Sequence, residues 1–284
     1  RGCWKGSKSF RILLTIALIF TILRLVVQVA YLGILLFPEC TLFGGKPDWA
    51  GGGEPVVPID LQIYMNAAER FRNREGLYQQ DSLAVHEEQY PYTPLYAFVS
   101  GILLWLSPAL TAIIDTLLHI LAYGMLYLAW WYIFRSLNLE SASRTLVRVL
   151  PAWLVFTAFW SDLGYLNIYL IMALLATLLI RSILKEQLVP AALLLAVILQ
   201  IKPHWSFAAA VPLLLGRRRF FLKLAASALA MYALGVVGLM IVADPAYVGA
   251  QYLEYFRFLT RLGHDFPWRG PGAPFLGYNH SIKQ

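Results

Sequence analysis

Long stretches of this chain carry almost no charge. Ile12 to Phe37 holds one charged residue, Arg24, and Phe221 to Ala243 holds one, Lys223, at its edge. About 20 consecutive apolar residues cross a bilayer as a helix. A larger soluble core does not explain these blocks, because its apolar residues would be dispersed among charged ones. Overall 59% of the residues are apolar and 14% charged, against about 25% charged in a typical soluble domain. Trp and Tyr concentrate near block ends, where a membrane interface places them. The chain therefore reads as an all-α, multi-pass transmembrane helical bundle.

The net charge of +7 does not point to nucleic acid, since the basic residues lie between apolar blocks and form no continuous patch. They read as topology determinants. Lys5, Lys8 and Arg11 precede the first block, which puts the N-terminal end in the cytoplasm. Ile12–Phe37 is too long for a signal-peptide core and lacks a cleavage pattern, so it is a retained first span. Cys3 and Cys40 then lie on opposite sides of the membrane and cannot pair, and no Cys or His spacing suggests a metal site.

Residues 38–92 form a long first outer loop, rich in acidic residues, with a glycine run at Gly51–Gly53. Within it Asp60–Arg74 lacks Gly and Pro and reads as a short interfacial helix. The apolar block Pro94–Leu106 is too short for a comfortable span. Counted as a span, it places Arg135, Arg144, Arg148, Arg181, Lys185 and Arg217–Arg219 outside; counted as re-entrant, it places them all in the cytoplasm. The charge rule selects the re-entrant reading. Further spans are expected at about 110–134, 148–161, 163–181, 188–201, 204–216 and 220–243, followed by an outer segment, 244–284. Residues 1–284 are expected to form a single transmembrane domain that lacks C-terminal spans, since the chain begins with Arg1 and ends in a polar stretch.

Three polar turns converge on the outer side. They are Pro58-Ile59-Asp60, Trp160 to Asn167, and Ile201-Lys202-Pro203-His204-Trp205. Polar backbone at membrane depth is tolerated where it is buried in protein or lines a cavity, so these turns mark a candidate site.

These residues also carry a family resemblance. Asp60-x-x-x-Tyr64-x-x-Ala67-Ala68, Gly76-Leu77-Tyr78 and Tyr90-Pro91-Tyr92-Thr93-Pro94-Leu95 resemble the first outer loop of glycosyltransferase family 87. Gly164-x-x-Asn167 resembles its Gly-Gln-x-Asn turn, Lys202-Pro203 its Lys-Pro turn, and Asn279-His280-Ser281 its Asn-Gln-Ser element. Tyr165 and His280 stand where the family usually has Gln, and Thr93 where it often has Pro. The resemblance implies a bundle of GT-C type. It also implies transfer of a sugar, expected to be mannose and often α-1,2-linked, from a polyprenyl-phosphate donor to a glycolipid or lipoglycan. The donor is a lipid-linked substrate, and no cofactor is implied. The partners are membrane lipids, the donor and the acceptor. The family's catalytic carboxylate lies just beyond the first span, and Asp60 matches it.

The chemistry suits these residue types. An acceptor hydroxyl attacking an anomeric carbon needs a base, and one carboxylate suffices for inversion. A cation must stabilise the departing phosphate. Lys202 is the candidate, with Arg257 or Arg261 as a second contact, while Asn167, His204, Tyr64 and Tyr92 complete the candidate substrate-binding set. Each has an ordinary structural counterpart. Asp60 can cap the helix that follows it, Lys202 can snorkel to the interface, and Asn167 and His204 can complete hydrogen-bond networks. Glu87 and Glu88 read as solvated loop charges, and His86 is too isolated to be a metal ligand. Competing readings are a transporter or flippase, disfavoured by the absence of repeated halves, and a related enzyme using a pentosyl lipid donor.

The topology is testable by cysteine substitution and a membrane-impermeant thiol reagent on intact cells. Positions 144, 185 and 218 are expected to be silent, and 60, 202 and 255 to face the reagent's side. Labelling at 144 from outside overturns this arrangement.

Overall fold

The structure, a computed structural model, describes residues 8–36, 57–78 and 90–265. Of the described residues 85% are helical and none is in a strand. The first helix, α1 (Lys8–Leu36), keeps most of its aliphatic side chains outward, including Ile16, Leu23 and Val26. A helix apolar on all sides and bare on most of them belongs in lipid. It leans on the bundle through Thr21, whose hydroxyl lies 3.3 Å from the Leu154 carbonyl, and Arg24, whose guanidinium stands 5.6 Å over the Trp160 ring.

The stretch read as a loop helix is α2 (Ile59–Arg72). Leu61, Tyr64, Ala68 and Phe71 recur at helical spacing and are buried, while Glu69 and Arg72 face out. It packs on α3 (Pro94–Ser100) and the 3-10 segment Gly101–Trp105 that continues it. The chain turns extended at Leu106, and Ser107 caps the next helix, α4 (Pro108–Ser136), by accepting from the Leu110 N–H at 3.3 Å.

Beyond α4 the expected spans are corrected. Residues 148–161 are not one helix. α5 (Glu140–Arg148) is followed by α6 (Leu150–Leu154) and α7 (Thr157–Tyr165), with a 53° bend after α5. Pro151 removes one backbone donor at that bend. The helix expected at 163–181 begins later, as α8 (Tyr169–Leu184), because Leu166 turns left-handed (φ 52°) and ends α7. α9 (Leu188–Ile201) lies where expected. The next expected span, 204–216, is a 3-10 segment, Pro203–Ala210, ending in a single turn, α10 (Val211–Leu214). Prolines 203 and 212 stand at the starts of those two pieces. α11 (Arg218–Val242) and α12 (Pro245–Asp265) complete the described chain. Among the described residues three helices are long and apolar enough to cross a membrane: Lys8–Ile34, Pro108–Ser136 and Arg218–Val242; counting the bent pair as one span raises the number to four. At 16 and 14 residues, α8 and α9 are shorter than the 20 or so residues of a comfortable span.

The centre is nonetheless α8, packed between α4 and α9, with α9 packed in turn on α11. Met172, Leu179 and Ile183 on α8 are fully buried. At one end of this stack Arg217 bonds the Ile183 carbonyl at 3.3 Å and the Glu186 carboxylate at 3.2 Å, so the arginine run also ties the α8–α9 turn to α11. At the other end Gln200 is a hub. Its carbonyl accepts from the Thr93 hydroxyl, its amide donates to the Tyr232 carbonyl at 3.2 Å, and its side-chain oxygen accepts from Tyr252 at 3.0 Å. Thr93 thus supplies a bond that proline in its place cannot make.

Gly235 of α11 lets this hub form. A Cβ there would lie 3.3 Å from the Gln200 amide nitrogen and 3.5 Å from Leu95. Gly235→Val is expected to destabilise the protein by about 1–3 kcal/mol through overpacking, read as a lowered Tm in detergent. An unchanged Tm shows that the hub yields freely.

Candidate active site

Asp60 stands in the first turn of α2, but it does not cap the helix. The N-cap residue is Pro58, and no side chain makes a capping bond there. The carboxylate turns instead to the α7–α8 corner, where Asn167 Nδ2 donates to Asp60 Oδ2 at 3.0 Å. A second bond holds the same corner to α2: the Ile168 N–H donates to the Tyr64 hydroxyl at 3.2 Å. Two polar turns that are far apart in sequence are therefore one structural unit.

The third turn brings Lys202. Pro203 ends α9 and pushes Lys202 into extended backbone (φ −138°). The side chain is only 5% exposed, so it does not snorkel to a surface. Its ammonium lies 3.5 Å from the Tyr169 ring centre and 4.9 Å from that of Tyr92. Burial pulls Lys202 down to about 8, opposed by the negative charges of Asp60 and Asp162. Burial likewise raises the Asp60 carboxyl above its ordinary value, opposed by the Asn167 bond and the Lys202 charge.

Asp60 opens onto a cavity of about 940 Å³. At its polar end lie Asp60, Asp162, Asn167, Tyr169 and Trp205. Two polar atoms of that wall, Asn167 Oδ1 and Trp205 Nε1, are buried without a hydrogen-bond partner. From there the cavity continues as an apolar trough between α4 and α8. Tyr123, Leu126 and Trp130 recur along α4, and Leu170, Ala173 and Ile180 along α8. The stretch from Leu170 to Ile180 is about 15 Å long at helical rise. Trp153 and Phe159 also line it, each stacked on Tyr123.

Of the expected site residues, Asp60 and Asn167 line the cavity and touch each other, with Lys202 one ring behind its wall. Tyr64 and Tyr92 are buried beneath the site, their hydroxyls 3.0 Å apart. His204 is exposed on the 3-10 segment and is not part of the cavity wall. Arg257 projects from an exposed face of α12, where it pairs with Glu254, and it does not line the cavity either. The side chain of Arg261, and His86, Glu87, Glu88 and Asn279–Ser281, lie outside the described residues, as do Cys3 and Cys40.

Sequence reasoning passed over His119 and Asp115 and left Asp162 without a role. The signal was present, because Asp115 and His119 stand four residues apart in an otherwise apolar span, where ionisable groups are costly. His119 is 1% exposed, with Nε2 2.6 Å from the Asn167 carbonyl and Nδ1 2.8 Å from the Asp115 carbonyl. Asp162 Oδ2 accepts from the Leu170 N–H at 2.9 Å, which secures the start of α8. Among the described residues no group of three or more His, Cys, Asp or Glu side chains is placed to hold a metal ion.

A bundle with membrane-length helices and a half-buried carboxylate lining a largely apolar cavity is the setting of a membrane enzyme. The family model of glycosyltransferase family 87 matches residues 90–275, well over half of the chain, and the chain belongs to that family. It is a membrane glycosyltransferase. No curated protein and no solved structure matches it. The match begins after α2, so Asp60 joins the matched region through the Asn167 bond.

Removing the Lys202 charge removes one of the two influences that hold Asp60 ionised. In Lys202→Met the acid limb of the transfer-rate profile is expected to move to higher pH, because the unsupported carboxylate protonates sooner as pH falls. Lys202→Arg keeps the limb in place. An unmoved limb in Lys202→Met shows that Asp60 does not depend on this charge.

Proposed function

We propose that this enzyme transfers a sugar, mannose in the first instance, from a polyprenyl-phosphate donor to a hydroxyl of a glycolipid or lipoglycan at the outer face of the membrane. The observation that carries the reading is the continuity between the Asp60 carboxylate and the aromatic and aliphatic trough of α4 and α8. A sugar nucleotide would bring a charged diphosphate into this largely apolar cavity with only its base to stack there, whereas a polyprenyl chain is a hydrocarbon of matching chemistry along its whole length. The family assignment, the charge pattern of the short loops and the short α3 helix support the GT-C arrangement with a re-entrant segment.

In the reaction the acceptor oxygen attacks the anomeric carbon while the bond from that carbon to the phosphate oxygen breaks. Asp60 takes the hydroxyl proton, and the polyprenyl phosphate leaves with the bonding electrons. A single carboxylate base fits inversion at the sugar carbon. Lys202 supplies the cation for the leaving phosphate. Its ammonium rests against the ring of Tyr169, a cavity-lining residue, so a rotation of that side chain would give the phosphate access to it. The unpartnered Trp205 Nε1 is a second donor for phosphate or sugar oxygens, and Asn167 Oδ1 is an acceptor for a sugar hydroxyl.

The test uses purified protein with radiolabelled polyprenyl-phosphate sugars and analysis of the lipid products. Asp60→Asn keeps the shape of the side chain but cannot take a proton. It is expected to bind donor and to transfer more slowly by about two orders of magnitude or more, while Glu87→Gln and Glu88→Gln transfer normally. Normal transfer by Asp60→Asn, with loss in either control, assigns the base to the wrong carboxylate.

A further inference from the structure

Asp60 is aimed by a short chain of bonds that ends inside the bundle. Asn167 Nδ2 holds Asp60 Oδ2 at 3.0 Å. The backbone of Asn167 is fixed on both sides. Its N–H donates to the Asp162 carbonyl at 3.1 Å, and its own carbonyl accepts from His119 Nε2 at 2.6 Å. The residue before it, Leu166, is fully buried in left-handed backbone (φ 52°), a conformation that is strained for a non-glycine residue and persists only where its surroundings enforce it. The imidazole that grips the corner is itself gripped. His119 Nδ1 faces the Asp115 carbonyl at 2.8 Å and the Asp115 carboxylate at 3.4 Å, one helical turn earlier on α4. Asp162 Oδ2 lies 3.8 Å from Nε2 on the other side.

A buried histidine needs a partner at each of its two ring nitrogens. This one bridges a membrane-length helix to the carbonyl of the residue whose side chain holds the candidate base. We infer that His119 is a positioning residue for glycosyl transfer, acting through Asn167 on Asp60, with Asp115 orienting its ring. The inference rests on the reading of Asp60 as the base. His119 does not line the cavity and touches no substrate; its effect lies on the rate of transfer, not on donor binding.

A double-mutant cycle separates this role from a merely structural one. The proteins compared are wild type, His119→Ala, Asn167→Ala and the double variant, at equal amounts of folded protein judged by size exclusion and Tm. Misplacing a catalytic group by about 1 Å costs on the order of 100-fold in rate, and His119→Ala is expected to lose about that much in kcat with donor KM nearly unchanged. His119→Gln, which retains a nitrogen donor, recovers part of the loss. In the Asn167→Ala background, where the amide no longer reports to Asp60, removing His119 costs less than about twofold, the scatter of independent pairs. Losses that multiply in the double variant overturn the inference, as does a His119→Ala protein whose folded fraction transfers normally. Should His119→Ala fail to fold, His119→Met replaces it in the same cycle.

A second readout needs no sugar. Modification of Asp60 by a carbodiimide and glycinamide, followed by mass spectrometry, is expected to change to the same extent in His119→Ala, Asn167→Ala and the double variant. A change in Asn167→Ala without one in His119→Ala overturns the inference whatever the substrate. Wild-type protein that transfers no polyprenyl-linked sugar sinks the proposed function instead, and the modification result still stands on its own.

Discussion

A break in a helix surrounded by hydrocarbon strands backbone N–H and C=O groups that lipid cannot satisfy, so the protein must supply their partners. That constraint governs the half of the bundle around Asp60. α7 ends at Leu166, α9 ends at Lys202, and α3 loosens after Ser100, all within the same region. Asp162 takes the Leu170 N–H, His119 takes the Asn167 carbonyl, and Thr93 takes the Gln200 carbonyl. Of the side chains that mend the breaks, Asp162 lines the cavity, while His119 and Thr93 lie buried behind it.

Charge follows from the same arrangement. Asp162 is buried and Asp60 half-buried, and Lys202 lies near both, against the rings of Tyr169 and Tyr92. A lone carboxylate in such surroundings would favour its neutral form and make a poor base at neutral pH. The Asn167 amide and the Lys202 ammonium both favour the ionised form of Asp60. The two aromatic rings hold the ammonium near the carboxylates without a direct ion pair.

The apolar trough has a different origin. It exists because α8 packs on α4 over part of its length while α6 and α7 bend away, and the gap is lined by aromatic rings of those bent pieces. A straight span across 148–161 offers no reason for Trp153 and Phe159 to stand beside Tyr123. The bend therefore shapes the apolar part of the cavity that Asp60 also lines.

Much of this was legible in the chain itself. Uninterrupted apolar length announces α1 and α11, since hydrocarbon thickness sets a minimum run. Helical spacing of Leu61, Tyr64, Ala68 and Phe71 announces α2, and the ordered motifs around Asp60, Asn167 and Lys202 announce the family. Hydropathy could not show that 148–161 bends or that 204–216 winds as a 3-10 segment, because proline, left-handed backbone and neighbouring contacts decide those, and they alter apolar content very little. Nor could it separate Asp60 as a cap from Asp60 as a partner of Asn167, a choice made by packing between elements more than a hundred residues apart. His119 and Asp115 were visible as costly residues in an apolar run, but their partner was not. Only the tertiary structure brings the Asn167 carbonyl within reach of the imidazole, because a hydrogen bond depends on three-dimensional proximity, and sequence order does not supply it.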